Sequence, residues 1–529
     1  MHFVTQFWNH KWYVSLAAGL LLGLSFSPFP FPFGLLVIPG FLFLFRLTDL
    51  TASAREMAYV SYAGLLLWNI ITTYWLMFAT VAGGIAAILA NSAIMTLPLM
   101  IIWHLRHRPV PVWLTSLLVP AVWLTYEFLH FRWDLSWPWL SLGNTFATAP
   151  WLVQYISVTG MLGITFWVVL CAWLVYRNVP AAPLLMVLLI PPAGSLLVYF
   201  VHHTEPVDEI EVAIMQPNYD SYLHLSGYPD AITPLEELLE LTDDVLTPQT
   251  RAVFWPENSI KALIVQGYPA QADRLIHQFV REWDIPLIAG SSFLRRYEPG
   301  TEPPVIRGHY GDKPFNIYDS ALGFYPDGSM DFYKKAKLVP MVERFPFVHT
   351  LSHMDRFGWI DWTELAMFGK GRTTDMFDVD GHAVPALICY DSVYPDWVRR
   401  FVKQGASFLV VVTNDGWWGN TSGHIQHYEF ARLRAVETGR TVLRSANNGL
   451  SGVIHANGDV ALKTTYWTRD QFTYSVPVYE HTTFYVRHGD IIGWMCLLLT
   501  VAALILIRFY SKNRPRSAQS GWNDFDPEA

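Results

Sequence analysis

Cys389 closes the apolar run 384–388 and is the lone thiol in the charge-rich part of a 529-residue chain. Two other expected strands end in comparable fashion. Phe254-Trp255-Pro256 leads to Glu257, and Tyr333-Lys334 leads to Lys335. A carboxylate, an amine and a thiol form a coherent catalytic set. A thiol must lose its proton to act as a nucleophile, so it needs a base. A carboxylate can take that proton when burial and nearby charges match the two pKa values. An ammonium can stabilise the oxyanion formed when a carbonyl is attacked.

Each residue alone also has a simpler explanation. A lone cysteine after an apolar strand is most often just buried. Glu257 could favour the N-terminus of a following helix. Lys335 shares a basic cluster with Lys334 and Lys337, which could be a solvated surface.

The elements that would position these residues lie between 205 and 485. Short apolar runs at 210–215, 252–255, 286–289, 384–388 and 408–412 alternate with helical stretches at 235–241, 270–283 and 426–438. That alternation predicts α/β layering. Sites in such folds form where polar residues follow strand ends.

The rest of the chain has a different composition. Hydrophobic residues make up 52% and charged residues 15%, against roughly 25% charged in soluble chains. The deficit is concentrated at 12–201 and 491–507. A spanning helix needs about 20 apolar residues. About eight helices are expected, near 12–26, 33–45, 57–77, 81–103, 110–128, 156–176, 180–201 and 491–507. The proline-rich link 27–34 should make the first two a tight hairpin. No cleavable signal peptide is expected. Domains are placed at 1–204 for the membrane bundle, 205–485 for the catalytic unit and 486–529 for the last helix and tail. With a cytoplasmic N-terminus, Lys11, Arg46, Arg55, Arg106, Arg108, Arg177, Arg508, Lys512, Arg514 and Arg516 fall inside. Only Arg132 falls in a short outside loop. This bias puts 205–485 outside the cytoplasm. Cys171 and Cys496 lie in apolar stretches, so no disulfide can form within 205–485. Net charge is −8 without a long basic run, so nothing suggests nucleic acid.

The three polar segments, in this order, resemble the Glu-Lys-Cys signature of the nitrilase superfamily. Thr413-Asn414-Asp415-Gly416-Trp417-Trp418-Gly419, Gln426-His427 and Ala431-Arg432-Leu433-Arg434-Ala435-Val436-Glu437 extend the resemblance. It implies a four-layer αββα sandwich. Leu338-Val339-Pro340 with Glu343 and Pro346, and Trp137-Pro138-Trp139-Leu140 in the membrane part, resemble the apolipoprotein N-acyltransferase family within it.

On that resemblance Glu257 is the general base, Lys335 the oxyanion lysine and Cys389 the nucleophile. Glu343, Tyr390, Asp391 and Trp417 are auxiliary or substrate-binding. Three positions depart from the family pattern. Asp391 replaces a glutamate, Met341-Val342 replaces Phe-Gly, and Gly416 replaces alanine. Lys337 stands where the family has histidine. The implied reaction is ping-pong acyl transfer from a membrane phospholipid, through a Cys389 thioester, to the N-terminal amine of a diacylated apolipoprotein. No cofactor or metal is implied, and a monomer is expected. The implied location is a cell inner membrane, with the catalytic domain on the periplasmic side. Trp137, Trp139 and Trp151 read as ordinary interfacial belt residues or as anchors at the membrane surface. Two rival readings stay open: a membrane-anchored amidase that uses water, and a transporter with a degenerate domain.

Overall fold

The computed structural model describes residues 8–201, 205–267, 270–355, 358–365 and 367–512. Arg514 and Arg516 of the predicted tail, and the predicted boundary at 204, lie outside the described residues. Each of the eight predicted apolar runs is helical, with ends that differ by a few residues. The helices are Lys11–Leu24, Val37–Leu50, Ala54–Thr73, Val81–Ile94, Thr96–Arg106, Val112–His130, Leu162–Tyr176, Ala181–Val201 and Ile491–Lys512. Two runs are interrupted. The run from Val81 is interrupted only at Met95, which keeps right-handed helical backbone, and the run from 156 breaks at Gly160, whose φ is +66°. A Cβ at Gly160 would lie 2.5 Å from the Tyr485 ring, so this break lets the catalytic domain sit close.

Among the described residues, five segments are long and apolar enough to cross a membrane: Phe33–Leu50, Val81–Arg106, Val112–His130, Ala181–Val201 and Ile491–Phe509. Lys11–Leu24 and Leu162–Tyr176 are shorter apolar helices. Basic residues gather at one end of the bundle. Asp49 takes Arg46 at 3.2 Å and Arg106 at 3.1 Å, and Lys11 pairs with Glu56 nearby. Arg132 pairs instead with Asp490, where the chain enters its last helix.

The catalytic part is built on two large sheets, beside a two-stranded hairpin of Phe377–Val379 and His382–Val384. In the larger, Asp208–Gln216, Ala252–Val265 and Leu287–Arg296 run parallel. Lys313–Phe324 pairs antiparallel beyond them, Met330–Lys334 pairs with it, and Asp470–Val478 closes the other side. In the smaller, Ala386–Ile388, Leu409–Thr413 and Val442–Ala446 are parallel, followed by Gly452–Ile454 and Val460–Lys463. The sheets pack face to face through residues such as Phe254, Val410 and Leu443, all fully buried. Thr233–Asp243 and Gln271–Trp283 cover the outer face of the first sheet, and Ser422–Thr438 covers that of the second. This is the αββα layering that the resemblance implied.

One strand differs from the sequence reading. Ala252–Val265 continues well past the predicted end at 255, so Glu257 lies within it rather than beyond it. Pairing with the neighbouring strand slips between Trp255 and Ile260. Such an irregularity re-aims side chains, and here it turns Glu257 toward the interior.

The two parts are joined by a buried amide. Gln426 donates to the carbonyls of Ser27, at 2.6 Å, and Thr72, at 3.1 Å. Its oxygen accepts from Trp139 Nε1 at 2.7 Å and Trp75 Nε1 at 3.2 Å. One side chain thus ties the catalytic domain to the proline-rich link, a membrane helix and the loop around Trp139. Trp139 is therefore not an interfacial belt residue; it is buried. That loop is held from below by Glu127, which accepts from Leu142 N at 3.0 Å, Thr165 Oγ1 at 2.7 Å and Trp123 Nε1 at 3.1 Å. Gln426→Ala would leave two indole N–H groups and two carbonyls without this partner. We expect a loss of about 2 kcal/mol or more, read as a lower melting temperature in detergent. An unchanged melting temperature would rule out the amide as a joint.

Candidate active site

Lys335 follows the last residue of strand Met330–Lys334 and is fully buried. Its Nζ contacts three carboxylates: Glu343 at 2.7 Å, Asp319 at 2.9 Å and Glu257 at 3.0 Å. Asp319 comes from the neighbouring strand, whose carbonyl at 319 also accepts from Lys335 N at 2.9 Å. The ammonium therefore stands in the middle of an acidic cluster, where a bound cation would otherwise sit. Burial alone would pull the ammonium pKa down. Asp319, Glu257 and Glu343 outweigh it and hold the pKa well above its ordinary value.

The carboxylates are themselves fixed. Glu257 Oε2 accepts from Asn414 N at 2.9 Å, and Glu343 Oε2 accepts from Val339 N at 2.8 Å. Gly290 lets the Glu257 backbone approach, since a Cβ there would lie 2.4 Å from Glu257 Cα. Burial pushes the Glu257 carboxyl well above the usual carboxylate range, with Lys335 opposing and Asp319 adding to the rise. Burial likewise raises Glu343.

Cys389 follows strand Ala386–Ile388 with φ at +45°, a left-handed conformation that few non-glycine residues adopt. The local bonds support it. Ser392 Oγ donates to the Cys389 carbonyl at 2.7 Å, and His427 Nε2 lies 3.3 Å from the same oxygen. His427 Nδ1 is 2.8 Å from Asp415, which also takes Arg444 at 3.1 Å. Burial would raise Asp415, but His427 and Arg444 bring it down to about 2. Strain of this kind is kept where the surroundings over-determine it. Burial, then the Glu257 charge, pushes the Cys389 thiol well above its ordinary pKa, while Lys335 lowers it. The resting group is therefore a thiol. A neighbouring carboxylate with a raised pKa suits the task of taking its proton.

These residues border a cavity of about 550 Å³. Glu257, Glu343, Cys389, Tyr390 and Trp417 all line it. Its lining extends into the membrane part, to Gly83, Gly84, Ala86, Ala87 and Ala90 of Val81–Ile94. Lys335 meets the cavity at Glu257 and Glu343, close enough for its charge to act on Cys389. Tyr390 OH donates to the Ser136 carbonyl at 3.1 Å, and its ring stacks on Trp137.

Asp391 does not line the cavity. It accepts from Tyr333 OH at 2.7 Å and Lys337 N at 2.7 Å, so it fixes the segment that carries Lys335. Burial raises its carboxyl to about 7. Lys337 lies outside too, its Nζ 4.6 Å from the centre of the Tyr394 ring. Two departures from the family pattern have structural settings. A methyl at Gly416 would lie 2.2 Å from the Asn448 side chain. Met341 takes a φ of +67° and, with Val342, lines the cavity mouth.

Asp319, Asp415 and Glu127 do not stand out in the sequence as site residues. Asp319 lies inside the strand Lys313–Phe324, where an acid in an otherwise apolar, buried stretch is the available signal.

Residues 18–174 match the family model described as apolipoprotein N-acyltransferase N-terminal domain, and residues 211–479 match that of carbon-nitrogen hydrolase. An apolipoprotein N-acyltransferase of Chlorobaculum tepidum is 29% identical over 527 residues, covering 94% of this chain and 96% of that one. Another, of Geobacter metallireducens, is 26% identical and covers 94% and 95%. A solved nitrilase-superfamily structure from Saccharomyces cerevisiae is 17% identical, with a TM-score of 0.38, covering 52% of this chain and 92% of its own.

Proposed function

Since this chain belongs to the carbon-nitrogen hydrolase family, and to its membrane-bound apolipoprotein N-acyltransferase branch, we propose that it moves a phospholipid acyl chain onto the N-terminal amine of a diacylated apolipoprotein. The observation that carries this reading is the lining of the cavity. One end holds Cys389, Glu257 and Glu343, and the other lies among small residues of a membrane helix. An acyl chain fits the second end while its ester carbonyl meets the first.

In this mechanism Glu257 takes the Cys389 proton. The sulfur attacks the ester carbonyl and forms a C–S bond. Lys335 stabilises the negative oxygen. The C–O bond breaks, the alkoxide takes the proton from Glu257, and lysophospholipid leaves. The acceptor amine then attacks the thioester. Glu257 receives the amine proton, the C–S bond breaks, and the thiol is restored. Glu343 and Asp319 hold Lys335 in place, and Tyr390 and Trp417 shape the cavity around the acyl group.

The test is product identity. Purified protein, given a labelled phospholipid and a diacylglyceryl lipopeptide, should yield N-acylated lipopeptide. Free fatty acid as the sole product, with the lipopeptide untouched, would favour a water-using amidase instead.

The catalytic side is proposed to be periplasmic, in an inner membrane. The gathering of Lys11, Arg46 and Arg106 at one end supports this orientation. In a variant lacking Cys171, Cys389 and Cys496, a cysteine at exposed Asn420 should react with a membrane-impermeant thiol reagent in intact cells. One at exposed Arg55 should not. The reverse pattern would invert the topology.

A further inference from the structure

A second cavity, of about 520 Å³, lies against the first. Asn258, Met367, Phe368, Asn414 and Trp417 border both. The two linings differ sharply in character. The first is apolar along its membrane arm. The second contains two cations, Lys261 and Arg307, three hydroxyls, Ser221, Ser226 and Ser292, and a single acid, Asp220.

Lys261 is the informative residue. It projects from strand Ala252–Val265, four residues after Glu257, and its Nζ lies 5.1 Å from the centre of the Tyr219 ring. Among the described residues no carboxylate pairs with it. Burial without a counter-charge pulls its ammonium down to about 8. A lysine kept half-buried in a cavity wall without an acid beside it is a place for an anion.

The proposed reaction supplies one, and the role assigned to this cavity rests on that reading. With the acyl chain in the membrane arm and its carbonyl at Cys389, the rest of the donor lies on the other side of the sulfur. That remainder is a glycerol carrying the second acyl chain and a phosphate diester, and the diester bears one negative charge. We propose that the second cavity is the donor's head site, where Lys261 and Arg307 hold the glycerophosphate while Cys389 is acylated. The acceptor gives no comparable reason for two cations, because its reacting end is an amine on a neutral backbone. The same cavity empties when lysophospholipid leaves, which suits a ping-pong sequence with one set of sites.

The test compares two acyl donors with the same chain. Phosphatidylglycerol carries the phosphate, and p-nitrophenyl palmitate is an activated ester without it. Acylation of Cys389 would be followed for wild type, Lys261→Met, Lys261→Arg and Arg307→Met. Each Met variant should need about tenfold more phosphatidylglycerol for half-maximal acylation, the scale of one charge-assisted hydrogen bond. The p-nitrophenyl ester should react as in wild type, which also shows that the variants are folded. Lys261→Arg should recover most of the loss. An equal loss with both donors would overturn the head site, as would an unchanged response to phosphatidylglycerol. Normal acylation followed by slow transfer to the lipopeptide would give the cavity to the acceptor and equally overturn it. Failure of wild-type Cys389 to be acylated by either donor is a separate result, which would remove the functional reading and the head site with it.

Discussion

Cys389→Ala should abolish acyl transfer to apolipoprotein, with a fall on the order of 10⁴-fold or more, the scale seen when a covalent nucleophile is removed. The substitution should leave the fold in place. Cys389 lines a cavity, so losing its sulfur deletes one atom from a wall rather than opening a packed core. Its left-handed backbone is held by Ser392 and His427 through the carbonyl, which alanine retains. The melting temperature in detergent should therefore change little while activity disappears. Cys389→Ser offers a sharper variant. It keeps an attacking oxygen, but that hydroxyl is much less acidic than a thiol, and the site already raises the pKa of the group it holds. Little or no acyl-enzyme should form. Retained transfer in Cys389→Ala, measured by mass spectrometry of the lipopeptide, would exclude this residue as the nucleophile.

Glu257→Gln and Lys335→Met should each lower acylation of Cys389 by at least on the order of 10²-fold, the usual scale for a general base or an oxyanion donor. Glutamine keeps the shape of Glu257 and can still accept from Asn414 N, so its loss should be confined to proton transfer. Lys335→Met should act twice. It removes the oxyanion charge and leaves Glu257, Asp319 and Glu343 without their shared partner. Stripping one partner from a buried ion cluster costs about 3–5 kcal/mol, so the melting temperature should fall as well as the rate. Lys337→Met separates the two lysines. Lys337 sits over Tyr394 outside the cavity, and its removal should cost far less activity. A dead Lys337→Met beside an active Lys335→Met would mean that the oxyanion role lies two residues further along.

The sequence discloses those parts of the site that follow a local rule. Lys335 and Cys389 each follow the last residue of a strand, and a polar residue just past a strand end can be read without a fold. Glu257 is found by the same rule, although its strand runs on and only a slip in pairing turns it inward. Asp319 cannot be found that way. It sits inside a strand, and its meaning depends on Lys335 of the adjacent segment reaching across to it. Gln426 is visible as a residue but not as a joint, because its partners at Ser27, Thr72, Trp75 and Trp139 are hundreds of positions away. The membrane helices are legible from apolar length. The break at Gly160 is not, because it answers to packing against Tyr485 rather than to composition. Asp391 stands beside Cys389 in sequence, and only the fold shows that its side chain turns away from the cavity to fix Tyr333 and the Lys337 backbone.

The covalent scheme is tested most directly on the enzyme alone. Wild-type protein would be mixed with acyl-labelled phospholipid in the absence of any acceptor, at single-turnover ratio. Label should appear on the peptide containing Cys389, be released by neutral hydroxylamine as a thioester is, and pass to lipopeptide when this is added. Absence of label on Cys389 throughout, while N-acylated lipopeptide still forms when both substrates are present, would contradict the thioester intermediate and require direct transfer instead.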